Sequence, residues 1–329
     1  MPSNLLRPNL LLPQLRYADA AALPALLSQP DHVLGIVGYG TGRPAILPAD
    51  IPFIQAPLRP VGEGRGFEIW SAATPVRPCR VGAVQGACSE ALAFGCISLD
   101  ETPGVALEDV VEQAYVAIFE FLAQTGFAEP IRFWNYLTAI LGDDHGLERY
   151  RRFNVGRHRA FLQHLHQAVP PAASGVGGLE GASVIYFLAA RTAAQPVENP
   201  RQVSAYDYPL QYGPRSPSFS RAGLYEGALF ISGTASIVGH ETRHCGDLQG
   251  QLAETLENFH AVIANAGQTA ALADTQGWGL KIYLRDPLFR TQIEPALEAM
   301  FGAESQRLYL HGEVCRPDLL IEIEAFYAP

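Results

Sequence analysis

An internal duplication is visible in two stretches, LEDVVEQAYVAIFEFLAQTG (residues 107–126) and LQGQLAETLENFHAVIANAG (residues 248–267), and it decides the fold. In both stretches apolar side chains recur with steps of 4, 4, 3 and 4, which is the spacing of one face of an α-helix. The matching positions are Leu107, Val111, Tyr115, Ile118 and Leu122 in the first stretch, and Leu248, Leu252, Leu256, Phe259 and Ile263 in the second, at a constant offset of 141 residues. Each stretch ends at a glycine that suits a helix C-terminus. Two amphipathic helices are therefore expected to present matching faces to a core.

The segments around these helices repeat as well. A strand-like segment with an internal glycine precedes each helix, EALAFGCISLDE (90–101) in one copy and GALFISGTASIVGHE (227–241) in the other. A strand, a helix and a closing strand then follow, at 132–140, 150–165 and 183–190 in the first copy and at 280–286, 288–301 and 319–327 in the second. The order β-β-α-β-α-β predicts an α+β fold of two tandem modules, with mixed β-sheets and helices packed on one face. We assign residues 1–190 to an N-terminal module with a packed lead-in segment, and residues 191–329 to a linker strap plus the C-terminal module.

Composition narrows the class of protein. A hydrophobic content of 48% with 17% charged residues is typical of a folded globule, and 329 residues suit two domains. The net charge of -10, with a single lysine and no basic block, argues against extended nucleic-acid binding. No apolar run reaches the roughly 20 residues that cross a membrane. The proline-interrupted N-terminus does not resemble a signal peptide. Five cysteines without a CxxC pair favour reduced thiols, so we expect a cytoplasmic protein.

The segment ENPRQVSAYDYPLQYGPRSPSFSRA (residues 198–222), here called the strap, combines arginines and tyrosines with four prolines. Its composition differs from that of a disordered linker, which is poor in aromatic residues. Guanidinium groups match carboxylates, and phenols add contact area with a polar tip. Because the strap leads from one module into the other, we expect it to line a cleft that binds a small anion carrying a flat ring.

Two carboxylates distinguish the last strand of the second copy from that of the first. In LLIEIEAF, Leu319, Ile321 and Ile323 fall on one face of the strand, whereas Glu322 and Glu324 share the other. A solvated sheet edge is one explanation. The alternative is that one glutamate lies in the cleft as a general acid or base, with its pKa raised by partial burial. Cys315, near the start of this strand, is more often a packing residue than a nucleophile at such a position.

A second concentration of arginines lies in RYRRFNVGRHRAF (residues 149–161). On a helix, Tyr150 and Arg157 are seven residues apart and share a face, so both are candidate site residues. The remaining arginines of this segment cannot all share that face and are expected to be solvated.

Two motifs imitate known sites. His240 to His244 spell HExxH, the zinc-peptidase signature, but the preceding residues resemble a strand, and the usual third ligand is missing. We expect a strand-to-loop turn there whose histidine and glutamate border the cleft. GYGTGRP (38–44) imitates a dinucleotide-binding loop, yet Pro44 and the lack of a following helix with an acidic residue argue against it.

Four segments of the sequence resemble those of the chorismatases. They are the strap, SGTASIVGHE (232–241), FNVGR (153–157) and CRPDLLIEIEAF (315–326). The chorismatases are bacterial enzymes that remove pyruvate from chorismate, and their fold is similar to that of the YjgF/RutC family. The resemblance extends along most of the chain from about residue 65. It implies two tandem YjgF/RutC-like modules, chorismate as the small-molecule substrate, and a reaction that needs no metal and no organic cofactor.

The resemblance also implies roles for individual residues. Glu322 corresponds to the catalytic acid/base of the last strand, and Cys315 to the position seven residues earlier that determines the product. A cysteine there is similar to the aromatising members, which form 3-hydroxybenzoate or both 3- and 4-hydroxybenzoate for pigment and ubiquinone pathways. Since chorismate is a dicarboxylate, Arg157 and Arg221 are expected as clamps and Arg215 as a third cation. Tyr150, Tyr208 and Tyr212 would supply hydrogen bonds and ring contacts.

Three alternatives remain open. The first is hydrolysis of chorismate to a dihydroxycyclohexadiene carboxylate without aromatisation. The second is a zinc metallopeptidase that uses residues 240–244, and the third is a YjgF-like protein that binds a metabolite without enzymatic activity. A monomer and a homotrimer are both compatible with a duplicated chain.

Overall fold

The computed structural model describes residues 11–40, 42–62, 64–165 and 169–329. Short strands and a one-turn helix open the chain: β1 (Gln14–Ala18), α1 (Leu23–Leu26), β2 (Val33–Tyr39), β3 (Phe53–Ala56), β4 (Arg59–Pro60) and β5 (Phe67–Ser71). The first copy of the repeat follows as β6 (Arg77–Val81), β7 (Val84–Cys88), β8 (Leu92–Ser98), α2 (Leu107–Thr125), β9 (Glu129–Thr138), β10 (Asp143–Asp144), β11 (Leu147–Glu148), α3 (Arg149–His164), β12 (Ala172–Gly178) and β13 (Val184–Ala190).

The second copy has the same order of long elements. It consists of β14 (Gln195–Val197), β15 (Ala222–Tyr225), β16 (Ala228–Thr234), β17 (Ile237–Val238), β18 (Glu241–Thr242), α4 (Leu248–Asn265), β19 (Trp278–Leu284), α5 (Arg290–Phe301), β20 (Gln306–His311) and β21 (Ile321–Tyr327). The insertion after α4 contains a 3-10 helix at Thr269–Ala273.

Sheet topology repeats strand for strand. The first sheet has the order β12-β9-β13-β8-β7-β6, and the second has the order β20-β19-β21-β16-β15-β14 with β4 added beyond β20. In each sheet one pair is parallel, β12 with β9 and β20 with β19, and the other principal pairs are antiparallel. The predicted α+β fold with two tandem modules and mixed sheets is therefore confirmed. The division into folding units at residues 190 and 191 stays a prediction.

The N-terminal region forms more than the expected lead-in. β1, β5, β2 and β3 make a four-stranded sheet of their own, and every residue of β2 is buried. The segment 38–44 continues from β2 into a loop rather than a helix, in the residues of it that are described, so it lacks the framework of a dinucleotide site. Residues 1–10 of the expected lead-in lie outside the described residues. The sequence analysis did not predict this sheet, because its short strands are not part of the internal duplication and depend on packing against the two modules.

Both predicted helix faces are buried where periodicity placed them. α2 and α3 pack on one face of the first sheet, and α4 and α5 on one face of the second. α2 ends at Gly126, whose φ of 76° lies in the left-handed region, and the side chain of Asp247 caps the start of α4 by accepting from two backbone amides. Burial of one large apolar side chain contributes about 1.5–3 kcal/mol to stability, so these faces fix the helices to their sheets.

The opposite faces of the two sheets meet each other and the N-terminal sheet. Trp70 of β5 packs against Trp134 of β9 and Phe326 of β21, with ring centroids 5.5 and 5.2 Å apart. Because side chains alternate along a strand, Ile321 and Ile323 face the helices, whereas Glu322 and Glu324 point to the interior between the modules. The two carboxylates are therefore not at a solvated sheet edge.

In the described part of the chain, helices of membrane-spanning length and hydrophobicity are absent.

Candidate active site

A cavity of about 320 Å³ lies where the two modules and the strap meet. The first module contributes the start of α3 and the strand β12, and the second contributes β16, the β17–β18 hairpin and the segment that leads into β21. Six of the eight predicted site residues line it: Tyr150, Tyr208, Tyr212, Arg221, Cys315 and Glu322. The spacing of the two modules has thus brought together residues that are up to 172 positions apart in the sequence.

Glu322 lies deep in the wall of the cavity. Its side chain is 4% exposed, and within the described chain its carboxyl accepts no hydrogen bond and has no cation within 4 Å. Burial and the neighbouring Glu324 raise the pKa of Glu322 to about 8, against the opposing effect of Arg132, Arg221 and Arg316. The carboxyl is therefore mostly neutral at pH 7 and can donate a proton.

Gly233 of β16 makes room for this carboxyl. A Cβ atom at Gly233 would overlap Oε1 of Glu322 and would also approach Ser174 Oγ at 3.3 Å. The glycine that the sequence placed before the second helix therefore has a specific purpose, since side-chain bulk there would displace the acid. In the first copy, a Cβ at the corresponding Gly95 would meet the ring of Phe187 instead.

Glu324, two residues further along β21, has the opposite environment. Its Oε1 accepts from Trp134 Nε1 at 2.6 Å and lies 2.7 Å from Lys281 Nζ, while Oε2 accepts from Arg132 at 3.0 Å and from Ser174 Oγ. Burial alone would raise the pKa of Glu324, but Lys281 and Arg132 hold it below its ordinary value. This carboxylate is therefore an anion at neutral pH.

Two arginines of the cavity have no carboxylate within 4 Å among the residues described. Arg221 donates to Tyr208 Oη at 2.8 Å and to the carbonyl oxygen of Val203 at 2.9 Å, and its Nε is buried without a partner. Arg316 donates to the carbonyl oxygen of His240 at 2.9 Å and lies over the ring of Tyr212, 4.3 Å from its centroid. Both guanidinium groups retain capacity for an anionic ligand.

The three tyrosines form the walls between these charges. Tyr208 and Tyr212 have ring centroids 5.3 Å apart, and Tyr212 Oη donates to the carbonyl oxygen of His240 at 2.6 Å. Tyr150 lies over Gly175 from the opposite side. Burial and the nearby Cys315 raise the pKa of Tyr150, so its hydroxyl remains a neutral hydrogen-bond donor. These rings offer flat apolar surfaces with polar edges to a cyclic ligand.

Cys315 carries a thiol rather than a thiolate. Burial of the group and the proximity of Glu322 raise the pKa of the Cys315 thiol to about 12. A neutral thiol is a poor nucleophile, so the residue can shape the cavity or position a ligand but is not activated for covalent attack.

The structure does not bring the other two predicted residues into the cavity wall. Arg157 is buried beneath it on α3, donates to Asn154 Oδ1 at 3.0 Å and lies over the ring of Phe153, 5.0 Å from its centroid. Arg215 is exposed on the strap, where its charge lowers the pKa of His158 after the larger effect of burial. The clamp role expected for Arg157 and Arg215 thus has no support from their positions. Arg316, which was not among the predicted site residues, lines the cavity.

Residues 240–244 do not form a helix. His240 lies in the turn between β17 and β18, Glu241 and Thr242 form β18, and His244 follows that strand, so the two histidines do not share a helix face as zinc-peptidase ligands must. His244 lies 3.5 Å from Glu254. The carbonyl oxygen of His240 accepts from the cavity residues Tyr212 and Arg316, and Glu241 lines the cavity itself. Groups of three metal-ligating side chains with suitable geometry do not occur in residues 11–40, 42–62, 64–165 and 169–329. The expected strand-to-loop turn bordering the cleft is confirmed.

Sequence reasoning missed Arg316, Ser174 and the buried cations behind the site. Arg316 follows Cys315 directly and could have been found from its place beside a candidate residue. Ser174, Arg132 and Lys281 carry no sequence signal of their own, because they reach Glu324 from three different strands.

Comparisons with known proteins show which family the chain belongs to. The family model described as "Chorismatase FkbO/Hyg5-like, N-terminal" matches residues 68–189. A 3-hydroxybenzoate synthase of Streptomyces hygroscopicus is 40% identical over 66% of this chain and 68% of its own length. A chorismatase of the same organism is 34% identical over 91% of this chain and 90% of its own.

A solved structure supports the same relationship over nearly the whole molecule. The crystal structure of a chorismatase at 1.08 Å resolution matches with a TM-score of 0.85 and 32% identity, and the match covers 96% of this chain and 98% of that one. The fold, with its two related modules, and the sequence relationship therefore lead to one assignment: this chain belongs to the chorismatase family.

Proposed function

We propose that this enzyme releases pyruvate from chorismate and forms 3-hydroxybenzoate, alone or together with 4-hydroxybenzoate. The single observation that carries the proposal is the buried, unpaired carboxyl of Glu322, with its pKa raised to about 8, in a cavity that also holds Arg221 and Arg316. Chorismate carries two carboxylates on a compact cyclic skeleton, and two free guanidinium groups beside aromatic walls suit such a ligand.

Glu322 would act by protonating the enolpyruvyl group. Pyruvate enolate is a poor leaving group, but transfer of the Glu322 proton to the terminal methylene carbon gives an oxocarbenium ion. The ring hydroxyl oxygen of the substrate attacks this ion in the route that consumes no water, and a water oxygen attacks it in hydrolysis. General acid catalysis of this kind contributes about 10²–10⁴ in rate. After this transfer Glu322 is a carboxylate. It then accepts a proton from a later intermediate, which restores the acid for the next cycle.

The outcome depends on the fate of the ring. Conversion to hydroxybenzoate and pyruvate is an isomeric fragmentation of chorismate, with no net consumption of water, and it is driven by aromaticity. Hydrolysis consumes one water and leaves a dihydroxycyclohexadiene carboxylate. The 40% identity to a protein named 3-hydroxybenzoate synthase favours the first outcome for this chain. Cys315, a neutral thiol at the cavity wall, would influence which carbon–oxygen bond is kept.

A coupled assay tests the function directly. Chorismate is added to the purified enzyme, pyruvate is followed with lactate dehydrogenase and NADH, and the ring product is separated and its ultraviolet spectrum recorded. We expect stoichiometric pyruvate and a phenolic spectrum. A diene spectrum would support hydrolysis, and absence of pyruvate would leave a protein that binds a metabolite.

Glu322→Gln gives the matched control, since glutamine preserves size but cannot donate the proton. We expect pyruvate release to fall by about 10²–10⁴ while chorismate still binds. Unchanged pyruvate release by a folded Glu322→Gln variant would remove the acid role from this residue.

A further inference from the structure

Glu322 and Glu324 lie two residues apart on one face of β21, but the hydrogen-bond donors around their carboxyl groups differ completely. Residues at this spacing are about 6.6 Å apart along a strand, which is close enough for one charge to influence the other. Both side chains are 4% exposed. Glu324 is surrounded by donors, whereas Glu322 has none within the described residues.

The donors leave no room for a proton on Glu324. A carboxylate has about four acceptor positions, two on each oxygen. Trp134 and Lys281 occupy Oε1, at 2.6 and 2.7 Å, and Arg132 and Ser174 occupy Oε2. A protonated Glu324 would turn one of these four donor contacts into a repulsive one. The geometry alone therefore keeps Glu324 ionised.

Lys281 is central to this arrangement, and it is the only lysine in the chain. Its side chain is 2% exposed, and its Nζ lies 2.7 Å from Glu324, 2.9 Å from Glu68 and 2.6 Å from Tyr186 Oη. Glu68 comes from the N-terminal sheet and receives further hydrogen bonds from Tyr39 and Trp70. One ammonium thus connects the three largest sheets of the described residues.

The charges of this buried cluster balance without Glu322. Glu68 and Glu324 are its two anions, and Lys281 and Arg132 are its two cations. No cation of the cluster is left to neutralise a second carboxylate on β21. Across the cavity, Arg221 and Arg316 lower the pKa of Glu322, and the neutral thiol of Cys315 and the neutral hydroxyl of Tyr150 lie in the same wall. The other charged residues that line the cavity are Glu148, Arg151, Glu241 and Asp318.

We propose that Lys281 and Arg132 are positioning residues that hold Glu324 as a permanent anion beside Glu322, so that Glu322 keeps the proton needed for the reaction. Glu322 touches the substrate, and the other three residues act through it. The catalytic consequence rests on the proposed function, whereas the assignment of the two protonation states does not.

Infrared difference spectroscopy tests the assignment without substrate. Wild type is compared with Glu322→Gln and with Glu324→Gln at pH 6. We expect the first pair to differ by the C=O stretch of a protonated carboxyl and the second pair by the bands of a carboxylate. Loss of the same kind of band in both pairs would overturn the proposal, whatever the enzyme does with chorismate.

The pH dependence of pyruvate release tests the consequence. In Glu324→Gln the neighbouring anion is gone and two cations remain, so the alkaline limb of kcat/KM should move down by about one pH unit or more. Glu324→Asp, which keeps the charge, should restore the limb toward the wild-type position. If the alkaline limb of kcat/KM stays at its wild-type pH in a folded Glu324→Gln variant, the proposed effect of the Glu324 anion on Glu322 is contradicted.

Glu68→Gln is the matched control for loss of a buried carboxylate. It removes a charge from the same cluster but leaves Glu324 with all four of its donors, so the alkaline limb should move by less than in Glu324→Gln. Lys281→Met removes one donor and one cation from Glu324, and a new protonated-carboxyl band in its infrared spectrum is expected. If either variant fails to fold, the comparison of wild type with Glu322→Gln still decides the protonation of the acid.

Discussion

Gly233 and Glu322 lie in direct contact across neighbouring strands, and the missing side chain of the glycine is the space that the carboxyl occupies. The acid is therefore held by the backbone of β16 on one side and opens to the cavity on the other. Its position depends on a residue that has no functional group.

Gly233→Ala should impair the reaction more than the fold. The added methyl group would push Oε1 of Glu322 away from its place, and a misplacement of about 1 Å can cost about 10²-fold in rate. Pyruvate release by the variant, measured with the coupled assay, is expected to fall by one to two orders of magnitude, about 10–100-fold. Activity within twofold of wild type, roughly, would mean that the site tolerates the shift.

Gly95→Ala is the matched substitution in the first module. Its methyl group would meet the ring of Phe187, far from the cavity, and such overpacking costs about 1–3 kcal/mol of stability. Chemical unfolding should detect this loss, with the KM for chorismate unchanged in the folded fraction.

Activity should depend on the acid form of Glu322. Because its pKa is raised to about 8, the neutral carboxyl predominates below pH 8 and is lost above it. We expect kcat/KM for pyruvate release to decrease as the pH rises through about 8. A profile that is flat from pH 7 to about 9.5 would be incompatible with a single acid of this pKa.

The same group should make the stability of the protein depend on pH. Glu322 has a folded-state pKa above its unfolded-state value, so its contribution to the free energy of unfolding is complete below about pH 4.3 and is lost as the pH rises through about 8. Urea unfolding of wild type and Glu322→Gln at several pH values measures this. The glutamine variant should gain stability relative to wild type between these two pH values, and a constant difference would contradict the raised pKa.

Arg221 and Arg316 should determine the affinity for the substrate. Each is expected to pair with a substrate carboxylate, and loss of one charged hydrogen bond costs about 1.5–3 kcal/mol, so Arg221→Gln and Arg316→Gln should raise KM by about 10–100-fold. Steady-state kinetics measure this. Arg159→Gln, on the outer surface of α3 and paired with Asp109, is the control with unchanged KM. If Arg215→Gln raised KM by the same factor, the expectation that Arg215 binds the substrate as a third cation would be restored.

Cys315 should influence the product and not the release of pyruvate. A neutral thiol contributes shape and a weak donor, so Cys315→Ala should retain pyruvate release within about tenfold while the proportions of the ring products change. Chromatography of the products measures this. Cys245→Ala, an exposed thiol at the cavity rim, should leave the proportions as in wild type. Identical product mixtures in all three proteins would remove the role from Cys315.

The sequence predicted those parts of the fold and site that depend on local periodicity. The repeated pattern of apolar residues located α2 and α4, and the alternation in β21 placed Glu322 and Glu324 on one face. The seven-residue spacing of Tyr150 and Arg157 was less informative. A shared helix face does not say how deep each side chain lies, and Arg157 is buried against Phe153 and Asn154.

The division of labour between the two glutamates could not be predicted from β21 alone. The donors that keep Glu324 ionised come from β9, β12 and β19, and the sheet that carries Glu68 shows no repeat in the sequence. Arg316 was overlooked because its partners, Tyr212 and the carbonyl oxygen of His240, lie about 100 and 76 positions earlier. Contacts of this kind are set by tertiary packing.

The burial of the only lysine also governs how the assembly of this protein can be studied. Amine-reactive crosslinkers need an accessible amine, and the Lys281 ammonium is enclosed by Glu68, Glu324 and tyrosine hydroxyls. Apart from the terminal amine of the chain, such reagents find nothing to modify, and a failure to crosslink would carry no information about subunit number. Distinguishing a monomer from a homotrimer therefore calls for light scattering, sedimentation or carboxyl-directed reagents.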